Sequence, residues 1–314
     1  MSRATDPEEL FAAALEGDRG AIARMLSLVE RGGEPARQVG RMAYSRSGSA
    51  YTVGMTGAPG AGKSTLTSAL IGHMRSLDIE VAVLAIDPSS PFTGGAILGD
   101  RVRMQDHATD PGVFIRSMAT RGHLGGLALA TPEAVRVLDA IGFEWVVVET
   151  VGVGQVEVDV AGAADTTVVV VNPGWGDAVQ AAKAGLLEIA DVFVVNKADR
   201  PGAADAERDL TSVLGMAGGR DTTWTPPVLR TVATTGDGVD ALLDAITTHR
   251  AHLESSGGLE ARRAARVEAE LRAILVARVL EQVGAAEGDD RFAKRAAAVL
   301  ARDVDPWTAT DDLL

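Results

Sequence analysis

Residues 53–65 read Val-Gly-Met-Thr-Gly-Ala-Pro-Gly-Ala-Gly-Lys-Ser-Thr, and this stretch decides the fold. Gly57, Gly62, Lys63 and Ser64 complete the pattern Gly-x-x-x-x-Gly-Lys-Ser/Thr of a phosphate-binding loop. Glycines let the backbone turn tightly and approach a phosphate closely, so that N–H groups line an anion-binding concavity. The lysine would reach the β- and γ-phosphates as a catalytic residue, and the serine hydroxyl would be a ligand of Mg²⁺.

The residues on both sides of the loop have the pattern that it requires. Tyr51–Thr56 is a short apolar run typical of a buried strand, and Thr65–Met74 has the pattern of a helix. A helix that begins here adds its positive amino-terminal end to the phosphate site. The predicted nucleotide-binding residues of the loop are Gly57, Ala58, Pro59, Gly60, Ala61, Gly62, Lys63, Ser64 and Thr65.

Composition excludes several classes of protein. The 314 residues are 46% hydrophobic but only 4% aromatic, so the core is expected to consist of Ala, Val, Leu and Ile. A net charge of −13 argues against non-specific binding to nucleic acid or to an anionic membrane. The absence of cysteine excludes disulfides, thiolate metal sites and cysteine nucleophiles. The sequence contains no apolar run of membrane-spanning length and no secretion or transit signal, so a cytoplasmic location is expected.

Strand-like and helical patterns alternate between residues 51 and 250. This alternation predicts an α/β fold with a doubly wound, mostly parallel sheet. Continuous β-branched runs such as Val168–Val171 are typical of strands that are buried on both faces. Ligands of such sheets bind beyond the carboxyl ends of the strands. The predicted strands are Tyr51–Thr56, Glu80–Ile86, Val113–Arg116, Trp145–Thr150, Thr166–Asn172, Val192–Asn196 and Val228–Thr231.

Helical segments flank this predicted domain, which we place at residues 49–254. Residues 1–48 form a predicted N-terminal helical extension, in which Asp6 is a helix cap. Ser255–Gly258 reads as a linker, and residues 255–314 form a predicted C-terminal helical extension.

The C-terminal extension contains apolar residues at helical spacing, with charged residues on the other face, Arg262, Arg263 and Arg266 among them. No partner for the apolar stripe is apparent in the same chain. We expect it to bury against a second copy in a two-fold dimer. The stripe consists of Val267, Leu271, Ile274, Leu275 and Val279.

Asn196-Lys197-Ala198-Asp199 follows the strand Val192–Asn196 and matches the guanine-reading element Asn-Lys-x-Asp. A carboxylate can accept hydrogen bonds from both N1–H and the 2-amino group of guanine, and adenine offers no such pair of donors. We therefore predict that Asn196, Lys197 and Asp199 bind GTP or GDP. Thr234, in the loop Thr231–Gly236, is either a further base contact or part of a plain loop.

Polar residues after two other strands suggest the catalytic and metal groups. Glu149 would hold Mg²⁺ through a water molecule, the Gly152 N–H could contact the γ-phosphate, and Gln155 either orients the attacking water or caps its loop. Asp100 is a candidate Mg²⁺ ligand with Asp87 behind it, although either could be a turn residue.

Longer runs around these residues resemble the MeaB/ArgK/MMAA family of P-loop GTPases. The resemblance covers most of the chain and implies a GTPase chaperone of an adenosylcobalamin-dependent acyl-CoA mutase, chiefly methylmalonyl-CoA mutase. It implies that the protein gates cofactor loading, protects or reactivates the mutase, and forms a homodimer through the C-terminal helices. The runs are Asp87-Pro-Ser-Ser-Pro, 94–104, 116–127, Glu149-Thr-Val-Gly-Val-Gly-Gln155 and Asn196-Lys-Ala-Asp199.

The resemblance also implies a further switch loop at 172–183. Asp177 and Lys183 match the functional positions of this loop in the family. Lys183 would place positive charge near the transferring phosphoryl group, in the manner of an arginine finger.

Two other interpretations use the same phosphate-binding loop. A kinase would transfer the γ-phosphoryl group to a small molecule or a protein, but the guanine-reading element favours GTP over the ATP that metabolic kinases more often use. A metal-insertion GTPase would be expected to contain a Cys/His cluster or a His-rich tract. Here the histidines are scattered, and His249 and His252 are expected on an exposed helix.

Overall fold

The central strand β1 (Tyr51–Gly57) leads directly into the phosphate-binding loop. In the computed structural model, the described residues are 6–88, 104–120, 126–150, 162–174, 186–216, 223–287, 290–311 and 313. They fall into two units, Met1–Arg266 and Val267–Leu314. The sequence had placed the start of the C-terminal extension earlier, at residue 255.

Within the described residues, the first unit contains a seven-stranded sheet in the order β3-β2-β4-β1-β5-β6-β7, and all its pairs are parallel. The predicted doubly wound α/β fold is therefore confirmed. Strands such as β5 are buried along their whole length, because helices cover both faces of the sheet. The remaining strands are β2 (Val81–Pro88), β3 (Val113–Thr120), β4 (Trp145–Thr150), β5 (Thr166–Val171), β6 (Val192–Asn196) and β7 (Val228–Thr231).

Four helices cover the face of β2, β3 and β4. They are α1 (Pro7–Leu15), α2 (Arg19–Arg31), α3 (Gly33–Tyr44) and α5 (Gly126–Ile141), and their apolar residues share one core with alternate residues of these strands. The predicted cap is present, since the Asp6 carboxylate accepts a hydrogen bond of 2.8 Å from the Glu8 N–H. The N-terminal helices are thus part of the first unit.

The helices on the opposite face position the nucleotide loop. Helix α4 (Lys63–Ser76) begins at the lysine of the loop and packs with α7 (Val239–Ser256) on the alternate residues of β1 and β4. Helix α6 (Ala203–Met216) covers β5 and β6. Leu66, Leu70 and Met74 of α4 are fully buried, which fixes the direction of the helix that starts at the loop.

Helix α8 (Gly258–Glu287) begins in the first unit. Gly257 separates α7 from α8 with a φ of 73°, so a single left-handed residue stands in the predicted linker. In the second unit, α9 (Asp290–Leu300) is followed by the short helix α10 (Pro306–Asp311). The predicted apolar stripe is exposed: Val267, Leu271, Ile274, Leu275 and Val279 all contact solvent to a large extent.

Candidate functional site

The phosphate-binding loop lies between β1 and α4 at the carboxyl edge of the sheet. Gly57 has a φ of 131°, and a Cβ placed there would come within 2.0 Å of the Val170 carbonyl oxygen on the neighbouring strand β5. At Gly62, whose φ is 90°, a Cβ would lie 2.5 Å from Nδ2 of Asn196. Only glycine fits these two positions, so the predicted motif corresponds to a steric requirement of the fold.

Lys63 begins α4 and is only 7% exposed. Its Nζ donates hydrogen bonds to the carbonyl oxygens of Gly57 at 2.8 Å and Ala58 at 3.1 Å. The ammonium group is therefore held over the loop itself, where a nucleotide phosphate could replace these carbonyl oxygens as acceptor. Ser64, the next residue of the helix, is buried as well.

Asn196 joins the predicted guanine-reading element to the loop. Its side chain is 1% exposed, and Nδ2 donates to the Ala61 carbonyl oxygen at 2.9 Å. Its Oδ1 accepts from Oγ1 of Thr231 at 3.1 Å and from the Ala233 N–H at 3.2 Å. This one amide therefore connects three segments that are distant in the sequence, and it fixes the base end of the site relative to the phosphate end.

The other residues of the guanine-reading element lie near the Asn196 side chain. Lys197 has a φ of 58°, and its Nζ donates to the Gly60 carbonyl oxygen at 2.6 Å. Asp199 and Thr234 are exposed, so both side chains face solvent at this edge of the sheet. The carboxylate of Asp199 can thus be reached by a base.

Glu149 and Asp87 are the last residue but one of the neighbouring strands β4 and β2. Glu149 is 0% exposed on β4, where it is in register with Met55 of β1. The next residue, Thr150, donates through Oγ1 to Oγ1 of Thr56 on β1 at 3.2 Å. Asp87 lies at the end of β2, and its side chain is outside the described set.

A hard divalent cation fits the donors that the structure brings to this edge. The Ser64 hydroxyl and the Glu149 carboxylate are oxygen ligands of the kind that Mg²⁺ takes, together with substrate phosphates. Within the ranges that the structure describes, no group of three or more His, Asp or Glu side chains could hold a metal ion. Over those same ranges, no helix is both long and apolar enough to cross a membrane.

Five predicted site residues lie outside the described residues: Asp100, Gly152, Gln155, Asp177 and Lys183. Their roles stay predictions, as do the roles of the candidates that the structure describes. The described candidates lie at the carboxyl edge of the sheet, namely residues 57–65 and 196–199 together with Glu149 and Thr234.

The opposite edge of the sheet contains buried ionic pairs that the sequence reading missed. Asp165 and Asp191 immediately precede β5 and β6, and they bind Arg262, Arg263 and Arg266 of α8. The sequence had assigned these arginines to a charged helix face. Burial acts to raise the pKa of Asp165, but Arg266 and Arg263 hold that pKa below its ordinary value. The i, i+1 and i+4 spacing of the arginines is the only sequence signal, and a solvated helix shows the same spacing.

The expectation that His249 is exposed was wrong. Its side chain is 0% exposed, because α7 packs against the sheet and Trp224 lies 4.7 Å away, measured between ring centroids. Nδ1 lies 2.8 Å from Oγ1 of Thr166, and Nε2 lies 3.5 Å from the Asp191 carboxylate. Burial lowers the pKa of His249 to about 4, and the nearby Asp191 opposes this shift only in part.

Comparison with known proteins agrees with this geometry. A family model described as "Methylmalonyl Co-A mutase-associated GTPase MeaB" matches residues 22–288. A Pyrococcus abyssi protein named as a GTPase is 51% identical over 309 residues, which are 98% of this chain and 95% of that protein. The GTPase ArgK of Escherichia coli is 37% identical over 284 residues, 88% of this chain and 86% of its own.

A eukaryotic relative and a solved structure complete the comparison. A Caenorhabditis briggsae protein named "Methylmalonic aciduria type A homolog, mitochondrial" is 34% identical over 274 residues, 82% of this chain and 66% of its own. A crystal structure titled as an LAO/AO transport system kinase superimposes with a TM-score of 0.74 at 26% identity, covering 100% of this chain and 98% of that one.

Proposed function

The chain belongs to the MeaB family of methylmalonyl-CoA mutase-associated GTPases, and from this premise we propose that it couples GTP hydrolysis to the cofactor loading and protection of a cobalamin-dependent mutase. Its activity is that of a GTPase, which converts GTP and water to GDP and phosphate. We propose that the nucleotide state gates the loading of adenosylcobalamin, and that the protein protects or reactivates an acyl-CoA mutase. Methylmalonyl-CoA mutase is the proposed client, supported by the name of the family.

The observation that carries the nucleotide part of this proposal is the Asn196 bridge. It connects the phosphate-binding loop at Ala61 to residues 231–233, next to the solvent-facing Asp199. In the proposed complex, Asp199 accepts from N1–H and the 2-amino group of guanine, and Thr234 lies in the loop beside the base. A single rigid amide then sets the distance between base and phosphates.

In the proposed reaction, the loop N–H groups and Lys63 hold the phosphates. The ammonium group would leave the carbonyl oxygens of Gly57 and Ala58 for the phosphate oxygens. Water attacks the γ-phosphorus, the bond to the bridging oxygen breaks, and GDP leaves with the electron pair. Ser64 and Glu149 would hold Mg²⁺, with Asp87 and Asp100 near it; the ion when bound neutralises charge on the phosphates. Gln155 would orient the attacking water.

We propose that the mutase acts on hydrolysis through the segments outside the described residues. Gly152 would contact the γ-phosphate, and the 172–183 loop with Asp177 and Lys183 would respond to the mutase. Lys183 would then supply the positive charge that intrinsic hydrolysis lacks.

The exposed stripe of α8 supports a homodimer as the working form. Val267, Leu271 and Leu275 lie about one helical turn apart and are 46%, 57% and 63% exposed. A second copy that presents the same stripe would bury both by two-fold symmetry.

The dimer is tested by light scattering on a chain that ends after Arg266. This end point keeps Arg262, Arg263 and Arg266, without which the buried Asp165 and Asp191 would lose their partners. The shortened chain should be a folded monomer while the full chain is a dimer. A shortened chain that stays dimeric would place the interface elsewhere.

A kinase is the second candidate function, because one similar solved structure has a title that names a transport system kinase. The two functions differ in the phosphoryl acceptor. Incubation with γ-³²P-GTP and cell extract should release inorganic phosphate alone for the GTPase, whereas a kinase would label an acceptor.

The proposed client is tested by gel filtration of the protein with purified methylmalonyl-CoA mutase. We expect the protein and the mutase to elute together in the presence of a non-hydrolysable GTP analogue. The fraction of the two proteins that elutes together should change when GDP replaces the analogue. The Lys63→Ala variant, which should not hold the nucleotide, is the control. Separate elution in every nucleotide state would contradict the proposal.

We expect the protein to act in the cytoplasm.

A further inference from the structure

Two buried threonines join β1 and β4 at the carboxyl edge of the sheet. Main-chain pairing of these strands extends to Met55 and Glu149, and the threonines lie one residue further along. The Thr150 hydroxyl donates to Oγ1 of Thr56 at 3.2 Å and lies 3.5 Å from the Met55 carbonyl oxygen. Both threonines are 0% exposed, so water does not compete for this contact.

The hydroxyl contact and the Glu149 carboxylate lie on opposite faces of the sheet, because successive side chains of a strand alternate between the faces. Val147 belongs to the core that the strands share with α4, so Glu149 lies on the α4 face. Val148 belongs to the core under α2 and α5, so Thr150 lies on that face. The contact can therefore act on Glu149 only through the main chain.

Each threonine is one residue away from a part of the proposed catalytic machinery. Thr56 precedes Gly57, where the phosphate-binding loop begins, and Ser64 follows that loop at the start of α4. Thr150 follows Glu149, the second proposed ligand of Mg²⁺. The contact thus joins the strand that leads to Ser64 to the strand that contains Glu149.

We propose that Thr150 is a positioning residue for Mg²⁺, acting through its hydrogen bond with Thr56. The inference rests on the proposed function, in which Ser64 and Glu149 hold the ion. Mg²⁺ requires nearly ideal octahedral geometry with short bonds to oxygen, so a small displacement of one ligand weakens its binding. The nucleotide is held in the proposed complex by several N–H groups of the loop. Loss of the hydroxyl contact should therefore affect Mg²⁺ more than the nucleotide.

The experiment measures how strongly Mg²⁺ tightens nucleotide binding in the full-length protein. Kd for a fluorescent, non-hydrolysable GTP analogue is determined by fluorescence titration with Mg²⁺ and again with EDTA. The ratio of the second Kd to the first reports the coupling between ion and nucleotide.

Three variants are compared with the wild type. Thr150→Val removes the hydroxyl and keeps a β-branched side chain, whereas Thr150→Ser keeps the hydroxyl. Thr52→Val is the matched control, because Thr52 lies on the same face of β1 about 13 Å from Thr56. Its hydroxyl accepts from the Asp165 N–H at the opposite edge of the sheet.

Thr150→Val should lower the ratio about fivefold, as expected for the loss of one neutral hydrogen bond, while its Kd in EDTA changes less than about twofold. Thr150→Ser and Thr52→Val should keep the ratio within about twofold of the wild type. An unchanged ratio in Thr150→Val would overturn the proposal, as would an equal loss in Thr150→Ser or in Thr52→Val. A loss of affinity in EDTA as large as the loss with Mg²⁺ would also contradict it.

Glu149→Gln separates a failure of this inference from a failure of the proposed metal site. If Glu149→Gln leaves the ratio unchanged, Glu149 does not hold Mg²⁺, and the inference falls together with that role. If the ratio falls in Glu149→Gln but not in Thr150→Val, the inference alone is overturned.

Thr56→Val tests the same contact from the other strand, and it takes the place of Thr150→Val if urea unfolding shows that Thr150→Val is not folded. It should also lower the ratio. Where both single variants fold, the double variant should lower the ratio no further than Thr150→Val alone, because the same contact is removed in both. Additive losses in the double variant, or an unchanged ratio in Thr56→Val, would overturn the proposal.

Discussion

Replacement of Asn196 by Asp should weaken nucleotide binding strongly although it alters few atoms. The wild-type amide donates to the Ala61 carbonyl oxygen and accepts from Thr231 and Ala233. Aspartate keeps the accepting oxygen but places a second oxygen against Ala61, where both groups are acceptors. The position is 1% exposed, so water cannot replace the lost donor.

The size of the effect follows from this single contact. A buried acceptor left without its donor costs about 1–3 kcal/mol. Binding requires the loop shape that the bridge maintains, so this free energy is taken from the nucleotide affinity. The corresponding increase in Kd is roughly 5- to 150-fold.

Fluorescence titration with a labelled GDP measures this increase directly. Thr231→Val is the matched control, because it removes one donor to Asn196 and leaves the contact with the loop; its Kd should change by less than about threefold. If Asn196→Asp binds GDP within twofold of the wild type, or if Thr231→Val loses as much, the bridge does not hold the loop.

Three further predictions concern the base, the buried histidine and the switch lysine. GTP and GDP should bind at least about tenfold more tightly than ATP and ADP by calorimetry, a difference of about 1.4 kcal/mol, and Asp199→Asn should erode that preference; equal affinities would remove the guanine-reading role. Because the pKa of His249 is 6.5 when unfolded and about 4 when folded, the unfolded state binds more protons between these values. The free energy of unfolding should thus fall as the pH drops below 6.5, by about 2 kcal/mol at pH 5. Urea unfolding at pH 7.5 and 5 measures this, and a His249→Gln variant with the same pH dependence would contradict it. Lys183→Ala should keep intrinsic hydrolysis and GTP affinity but lose most of the stimulation by the mutase in a phosphate-release assay, whereas undiminished stimulation would show that Lys183 is only a surface residue.

The strands of the sheet were predictable because continuous runs of β-branched residues are typical of strands that are buried on both faces. The runs Trp145–Thr150 and Val228–Thr231 form strands with the predicted bounds. The loop and the guanine element were predictable for another reason: glycine positions such as Gly57 have no alternative once the neighbouring strand passes so close.

The bridges between distant segments were not predictable from one sequence. Asn196 reads as a base contact, and nothing in its tetrapeptide reveals that its amide is committed to the Ala61 carbonyl oxygen, 135 residues earlier. Likewise, Arg266 and Asp165 lie 101 residues apart. Helical periodicity assigns a charged residue to solvent by default, because local pattern contains no information about a buried partner in another segment.

The central claim is that the nucleotide state of this GTPase controls cofactor loading of a mutase. Its most direct test is the amount of adenosylcobalamin bound to methylmalonyl-CoA mutase, read by absorbance after gel filtration, with the protein present together with GTP, GDP or a non-hydrolysable GTP analogue. We predict that loading differs between these nucleotide states, and that Lys63→Ala abolishes the difference. Equal loading in all three states, indistinguishable from that of the mutase alone, would contradict it.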